Sequence, residues 1–425
     1  MLSTIVALLA LSIGGVIWLV SHQGLPTATT TTATLQVIQS GKLTWKQVMV
    51  PKGFPGADQY PKGGSDASSS VVVAHHNGAV AYACQADRKK VSYPVVWATR
   101  DTGASWSVIT PSNLPAGIGG CRIILDDNNA QTLVVSFYPF VNSSSPASPD
   151  QWITYASFDS GKTWRRPTGL QDESIVYALA SSHGRIYALR ASSAQESLYV
   201  SSDNMQHWTQ IDANVPKSSS IPSQPREAKE MVALWVNPAT DEVLVQVRSM
   251  VLWSTRDDGV HWEEIPYPSK VLVGAPNGPA FVVGFPGAYA YPVICGVFTP
   301  ILSDGKQRIK CSTDDGQTWT DRSAPSDSSL GVPSLVNIDI GYDGSIIAIG
   351  FGNSKGTNFA FYRLAPDART DNSWQRLGVI PNSGLSAHYQ VTPSGVAIVF
   401  WNFPASSTAN GQSITQPNYY VAIYR

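Results

Sequence analysis

Four carboxylates stand where a pair could do acid–base work: Asp172 beside Glu173, and Glu227 three positions before Glu230. Two carboxyl groups roughly 5–9.5 Å apart cleave a glycosidic bond, one as acid and the other as nucleophile or base. These four are the catalytic candidates, and solvated loop charge is the competing reading. His75-His76 invites a metal. Neighbours on a strand point to opposite faces, and a third ligand is wanting, so no metal or other cofactor is expected. Tyr138, Tyr289, Tyr291 and Trp401, with Phe140, Phe285 and Phe403 beside them, could stack on a sugar ring or anchor a protein. The competing reading is that they pack their own loops.

Five other aspartates recur in a fixed setting. Thr99–Trp106 reads TRDTGASW, Ser157–Trp164 SFDSGKTW, Thr255–Trp262 TRDDGVHW and Ser312–Trp319 STDDGQTW. Ser201–Trp208 reads SSDNMQHW, with Met205 in the glycine position, and a degraded copy ends in Asp371, Ser373 and Trp374. The tryptophans fall 58, 44, 54, 57 and 55 residues apart, which is the signature of a repeat architecture. Each copy reads as a hairpin. Its Asp takes backbone N–H groups one and two residues on, its Gly takes the positive φ, and its Ser or Thr caps the turn. The Trp then opens the returning strand and buries a large flat surface. Asp101, Asp159, Asp203, Asp257 and Asp314 are therefore structural.

These residues resemble the Asp-box, the bacterial neuraminidase repeat, over most of the chain from Trp45 onward. The resemblance implies a β-propeller of the sialidase-like superfamily. Sialidases clamp a carboxylate with three arginines, the first in a Phe/Tyr-Arg-Ile-Pro motif. The nearest match here, Cys121-Arg122-Ile123-Ile124, lacks the aromatic and the proline. The chain is thus more similar to non-catalytic seven-bladed members than to true sialidases. The photosystem II assembly factor is one such scaffold, but its arginine-rich patch has no counterpart here.

A second hairpin lies inside the first: strand, Asn/Asp-Gly-type turn, strand. Seven such inner hairpins can be read, among them Val71–Ala74 with Ala79–Cys84, Val271–Ala275 with Ala280–Gly284, and Leu385–Gln390 with Val396–Trp401. The last has no outer hairpin of its own, and Leu43–Val48 supplies a strand to close it. The expectation is all-β: a seven-bladed propeller of four-stranded antiparallel blades, closed by an N-terminal strand. Long insertions at Pro139–Asp150, Phe285–Lys306 and Asn402–Pro417 then share one face, opposite the Asp-box turns, and that face is where a glycan or protein ligand is expected. Cys84 and Cys121 fall near it in adjacent blades, and Cys295 and Cys311 in one blade. Pairing Cys84–Cys121 and Cys295–Cys311 is natural, with the other two connectivities open.

Leu2–Val20 is apolar over about one bilayer crossing, which takes roughly 20 residues. No basic start or A-x-A-like site marks it as a cleaved signal, so residues 1–21 are read as a transmembrane anchor or uncleaved signal, 22–40 as a Thr-rich linker and 41–425 as the propeller. With 29 Lys+Arg against 30 Asp+Glu there is no basic face for nucleic acid. A monomer, membrane-anchored with its propeller outside the cytoplasm, is expected. Its function is that of a binding or scaffold module for a glycan or protein, with a glycoside hydrolase acting on surface polysaccharide as the alternative.

Overall fold

A computed structural model gives the architecture. It describes most of residues 36–423; residues 1–35, 50–69, 140–151, 217–230, 268–280, 299–307, 382–396 and 402–417, with shorter loop stretches and the last two residues, lie outside the description. The anchor reading of 2–20, His75-His76, and the strands expected at 271–275 and 385–390 therefore fall outside it. Among the described residues there is no helix, and none long and apolar enough to cross a membrane.

The described strands form seven antiparallel sheets. The first holds β3 (Ser70–Val73), β4 (Ala81–Gln85), β5 (Val95–Thr99) and β6 (Ser107–Val108). The second holds β7 (Ile118–Leu125), β8 (Leu133–Pro139) and β9 (Ile153–Ser157). The third runs β10 (Ile175–Ser182), β11 (Arg185–Ala191), β12 (Glu196–Ser201) and β13 (Thr209–Gln210). The fourth runs β14 (Met231–Val236), β15 (Val243–Val247), β16 (Leu252–Thr255) and β17 (Glu263–Ile265). The fifth runs β18 (Phe281–Gly284), β19 (Val293–Phe298), β20 (Arg308–Ser312) and β21 (Thr320–Ser323). The sixth runs β22 (Ser334–Ile340), β23 (Ile346–Phe351), β24 (Asn358–Leu364) and β25 (Gln375–Pro381). The last joins both ends of the chain: β26 (Ala397–Trp401), β27 (Asn418–Ile423), β2 (Leu43–Met49) and β1 (Gln36–Ser40).

Burial explains why these strands read as apolar runs. In β11, Ile186 and Ala188 join the core shared with the second sheet, while Tyr187 and Leu189 join the one shared with the fourth. In β15, Val243 and Val245 face the third sheet and Leu244 the fifth. A strand has period two, so a sheet packed on both faces needs apolar residues at every position. The last sheet touches both neighbours, β1 lying beside β25 and β26 beside β3. The strand expected to close the molecule is β2, pairing with β27 so that Trp45 faces Ala422. β1 adds a further strand inside the stretch expected to be linker.

Two other expectations change. The second sheet has three strands, its fourth reduced to one bridge, Ala156 with Arg165. In the first and third sheets the residue three beyond the Trp donates its N–H to the third strand, Ile109 to Val96 at 2.8 Å and Ile211 to Leu198 at 3.0 Å. The equivalent residue here is Pro167, which has no N–H. In the fifth sheet, Ala280–Gly284 was expected to close an inner hairpin. Its core, Phe281–Gly284, is instead the first strand, and the second, Val293–Phe298, lies within the supposed insertion.

Candidate functional site

In such sheets the first-to-second and third-to-fourth connections share one end, called here the turn-bearing end. Each repeated turn there is held by its own side chains. Asp159 Oδ1 accepts from the Thr163 N–H at 2.9 Å and the Ser157 hydroxyl at 2.8 Å, and Oδ2 accepts from the Thr163 hydroxyl at 2.6 Å. The Gly161 N–H donates back to Ser157 Oγ at 2.8 Å. The acceptor reaches the N–H four residues on, not the nearer ones expected from the sequence. Asp101 and Asp314 repeat the pattern with Ser105 and Thr318. In Asp203 and Asp257 a ring Nδ1–H, from His207 and His261 at 2.5 Å, replaces the hydroxyl. Burial opposes but these hydrogen bonds outweigh it at Asp159, whose pKa is lowered. The five aspartates are thus used within their own turns.

The residue after Asp159, Asp203, Asp257 and Asp314 is in each case tied to the preceding sheet by an arginine. Arg100 donates to the Ser160 carbonyl at 3.0 Å, Arg165 to the Asn204 carbonyl at 2.5 Å, Arg185 to Asp258 at 2.6 Å and Arg256 to Asp315 at 2.8 Å. Trp164 and Trp319 add indole N–H bonds to the carbonyls of Ile109 at 2.6 Å and Pro266 at 2.9 Å, again on the preceding sheet.

Two charge clusters at this end hold more carboxylate than base. The β7–β8 turn carries Asp126, Asp127 and Asn128. Asp126 Oδ1 accepts from the N–H groups of Asn128 and Ser181 at 2.9 and 3.0 Å. The Asn128 amide reaches two further sheets, donating to the Ser181 and Val236 carbonyls at 2.8 and 2.9 Å. Burial pushes Asp126 up to about 6 against those bonds. Asp127 keeps some accessible surface yet sits deep among its neighbours. Burial, then the Asp126 charge, then that of Asp339 from the sixth sheet push it up to about 8.

The second cluster centres on Arg256. Its Nη2 lies 2.6 Å from Glu242 Oε1 and 2.8 Å from Asp315 Oδ2, and its Nη1 lies 3.8 Å from Glu263 Oε2. Glu242 is 3% exposed, and burial raises it to about 7 although Arg256 opposes the shift. A cavity of about 270 Å³ adjoins, lined by Ser254, Thr255, Arg256, Asp257, His261 and Glu263.

Ser182, His183 and Asp241 look like a hydrolytic relay and are not one. His183 Nδ1 meets both Ser182 Oγ at 3.2 Å and Asp241 Oδ1 at 2.9 Å. A relay needs the two ring nitrogens on different partners. Among the described residues no group of three or more His, Cys, Asp or Glu is placed to hold a metal ion.

Asp172, Glu173, Glu227 and Glu230 lie outside the described residues. Tyr138 is the next-to-last residue of β8, at the end opposite the turns, and Trp401 is the last residue of β26. Tyr289 and Tyr291 do not join Tyr138. They lie in the β18–β19 connection, at the turn-bearing end, because β19 occupies the supposed insertion. There the Tyr289 ring stands where a Cβ on Gly344 of the sixth sheet would be, and Tyr291 is 46% exposed. Both disulfides form as paired above. Cys84–Cys121 spans the first and second sheets with Cα atoms 6.1 Å apart, and Cys295–Cys311 joins directly opposed residues of β19 and β20 at 4.1 Å. Disulfides point to an extracellular or otherwise oxidising environment. The one sequence signal for the arginine ties and the Arg256 cluster is the Thr-Arg-Asp of two copies, Thr99–Asp101 and Thr255–Asp257.

No family model matches the chain, and no curated protein does. Solved structures with similar folds include YCF48 from Cyanidioschyzon merolae, 14% identical over 89% of this chain and 98% of that one, with a TM-score of 0.47. YCF48 bound to D1 peptide is 11% identical over 92% of this chain and 100% of that one, at 0.48. The GH74 xyloglucanase from Xanthomonas campestris is 16% identical over 79% of this chain and 46% of that one, at 0.42. All three are β-propellers.

Proposed function

We propose that the chain is a seven-bladed Asp-box propeller of the sialidase-like superfamily, a monomer held to a membrane by residues 2–20 with the propeller outside the cytoplasm. In this reading it is a binding or scaffold module, taking a glycan or protein ligand at the end opposite the turns. The observation that carries it is how the repeat's polar groups are used. The five aspartates are consumed by their turns and the arginines by the next sheet. What remains is a braced frame, its first two sheets cross-linked by Cys84–Cys121. The second-to-third strand connections leave from the end away from the turns, where Tyr138 stands near the end of β8, and loops on one rim of a rigid scaffold are where binding usually lives.

The test takes the full chain in mild detergent under oxidising conditions. It is incubated with a panel of polysaccharides and sialosides, with released sugars followed by mass spectrometry and retained ligands by pull-down. The expected outcome is retention without release. A defined released sugar would overturn the scaffold reading in favour of a glycoside hydrolase, and would send mutagenesis to Asp172, Glu173, Glu227 and Glu230.

A further inference from the structure

Arg256 is shared between two sheets. Glu242, in the turn just before β15, and Glu263, on β17, belong to its own sheet, while Asp315 sits in the turn between β20 and β21 of the next. The sharing is unequal. The Nη2 hydrogen bond is directed at Asp315, whereas Glu242 Oε1 lies at 2.6 Å without a directed hydrogen bond. One guanidinium thus faces three carboxylates, one of them almost wholly buried. Burying a charge without a full partner is costly, and a proton on Glu242 removes that cost.

We propose that Arg256 is a proton-operated clasp between the fourth and fifth sheets. With Glu242 protonated, the guanidinium is given over to Asp315 and draws the two sheets together. With Glu242 ionised, it is shared back into its own sheet and the grip on the fifth slackens. The adjoining cavity, walled by Arg256, Asp257, His261 and Glu263, changes width with the clasp. The groups facing Glu242 are Arg256, Asp315 and Glu263. Its neighbour Asp241 is engaged with His183 of the third sheet, Asp257 with His261, and Asp258 with Arg185. That leaves Glu242 as the group able to trade a proton for the guanidinium. Its carboxyl, held near 7, changes state across ordinary extracellular and acidified conditions.

The test is a double-mutant cycle on the full chain, with Arg256→Gln, Asp315→Asn and the pair, unfolded in urea at pH 5.5 and 8.5. The coupling between the two residues, read as a ratio of unfolding constants, is expected to be several-fold larger at pH 5.5. In a Glu242→Gln background it should be the same at both pH values, and in a His261→Asn background the pH dependence should survive. Equal coupling at both pH values in the parent, or pH dependence persisting in Glu242→Gln or vanishing in His261→Asn, overturns the proposal. Hydrogen exchange on the unmutated chain is a second readout. Protection of the Gln317 amide in the fifth-sheet turn, taken relative to the Gly161 amide in the second, should fall from pH 5.5 to 8.5. An unchanged ratio counts against the clasp.

Discussion

Met205 holds a left-handed conformation, φ 67°, that its repeat gives to glycine elsewhere, and it is wholly buried. The reason lies one sheet back. A Cβ at Gly161, Gly259 or Gly316 would run into Ile109, Ile211 or Ile265 respectively, each three residues past the preceding Trp. Before Met205, that position is Pro167. No isoleucine fills the space, so a side chain does. The left-handed region costs a non-glycine residue on the order of 1–2 kcal/mol. Removing a buried Met typically costs about 2–5 kcal/mol, which outweighs the relief. Met205→Gly and Pro167→Ile are therefore each expected to destabilise, the first by a cavity and the second by a clash with Met205. The double variant should recover at least about 1 kcal/mol of their sum, measured by urea unfolding. Strictly additive losses would show that the two positions do not share the space. The substitution at 205 was plain in the sequence. Its compensation was not, because the two residues are 38 apart and meet only when sheets pack.

Elements were legible where their cause was local. The turns could be read from single octapeptides, since each Asp and its side-chain partners lie within eight positions, as does the positive-φ residue in four of them, Gly161, Met205, Gly259 and Gly316. The order of strands in the fifth sheet is ambiguous in the sequence, because Asn277-Gly278 looks like a hairpin turn and the alternation in Ala280–Gly284 fits a first strand as well as a second. Only pairing decides, and Phe281 pairs with Gly296. The shortened fourth strand of the second sheet was also available, in Pro167. The disulfides differ in what they tie. Cys84–Cys121 closes a 37-residue separation across two sheets, Cys295–Cys311 one of 16 within a hairpin already paired. Chain entropy gives about 4 kcal/mol for the longer loop and about 3 for the shorter. Cys84→Ser with Cys121→Ser should thus lower the unfolding midpoint more than Cys295→Ser with Cys311→Ser. The reverse order would mean that the cross-sheet bridge does not constrain the unfolded chain as its span implies.

At the scale of the whole molecule, closure by β2 could be read from an unpaired strand with a Trp in register, because a sheet edge left open is a liability that a chain resolves with whatever strand remains. The charge balance at the turn-bearing end could not, since Asp127 and Asp339 are 212 residues apart and approach only in the closed assembly. That balance sets a direction for stability against pH. Asp126, Glu242 and Asp127 are raised to about 6, 7 and 8 in the folded chain, from ordinary carboxyl values of 3.8 or 4.5. Below those ordinary values both states hold the protons, and the contribution to stability is complete. As pH rises the unfolded chain releases protons that the folded chain must keep, so stability falls through about 6, 7 and 8 in turn. Asp127 has no base among the groups that shift it, only Asp126 and Asp339. Asp127→Asn removes the group that titrates last. The unfolding midpoint of the parent should decline from pH 5 to 8.5, and that of Asp127→Asn should decline less, with the variant the more stable of the two at pH 8.5. Parallel curves would mean that the Asp127 carboxyl ionises as freely in the folded chain as in the unfolded one, and the inner turns would then need another counter-charge at their centre.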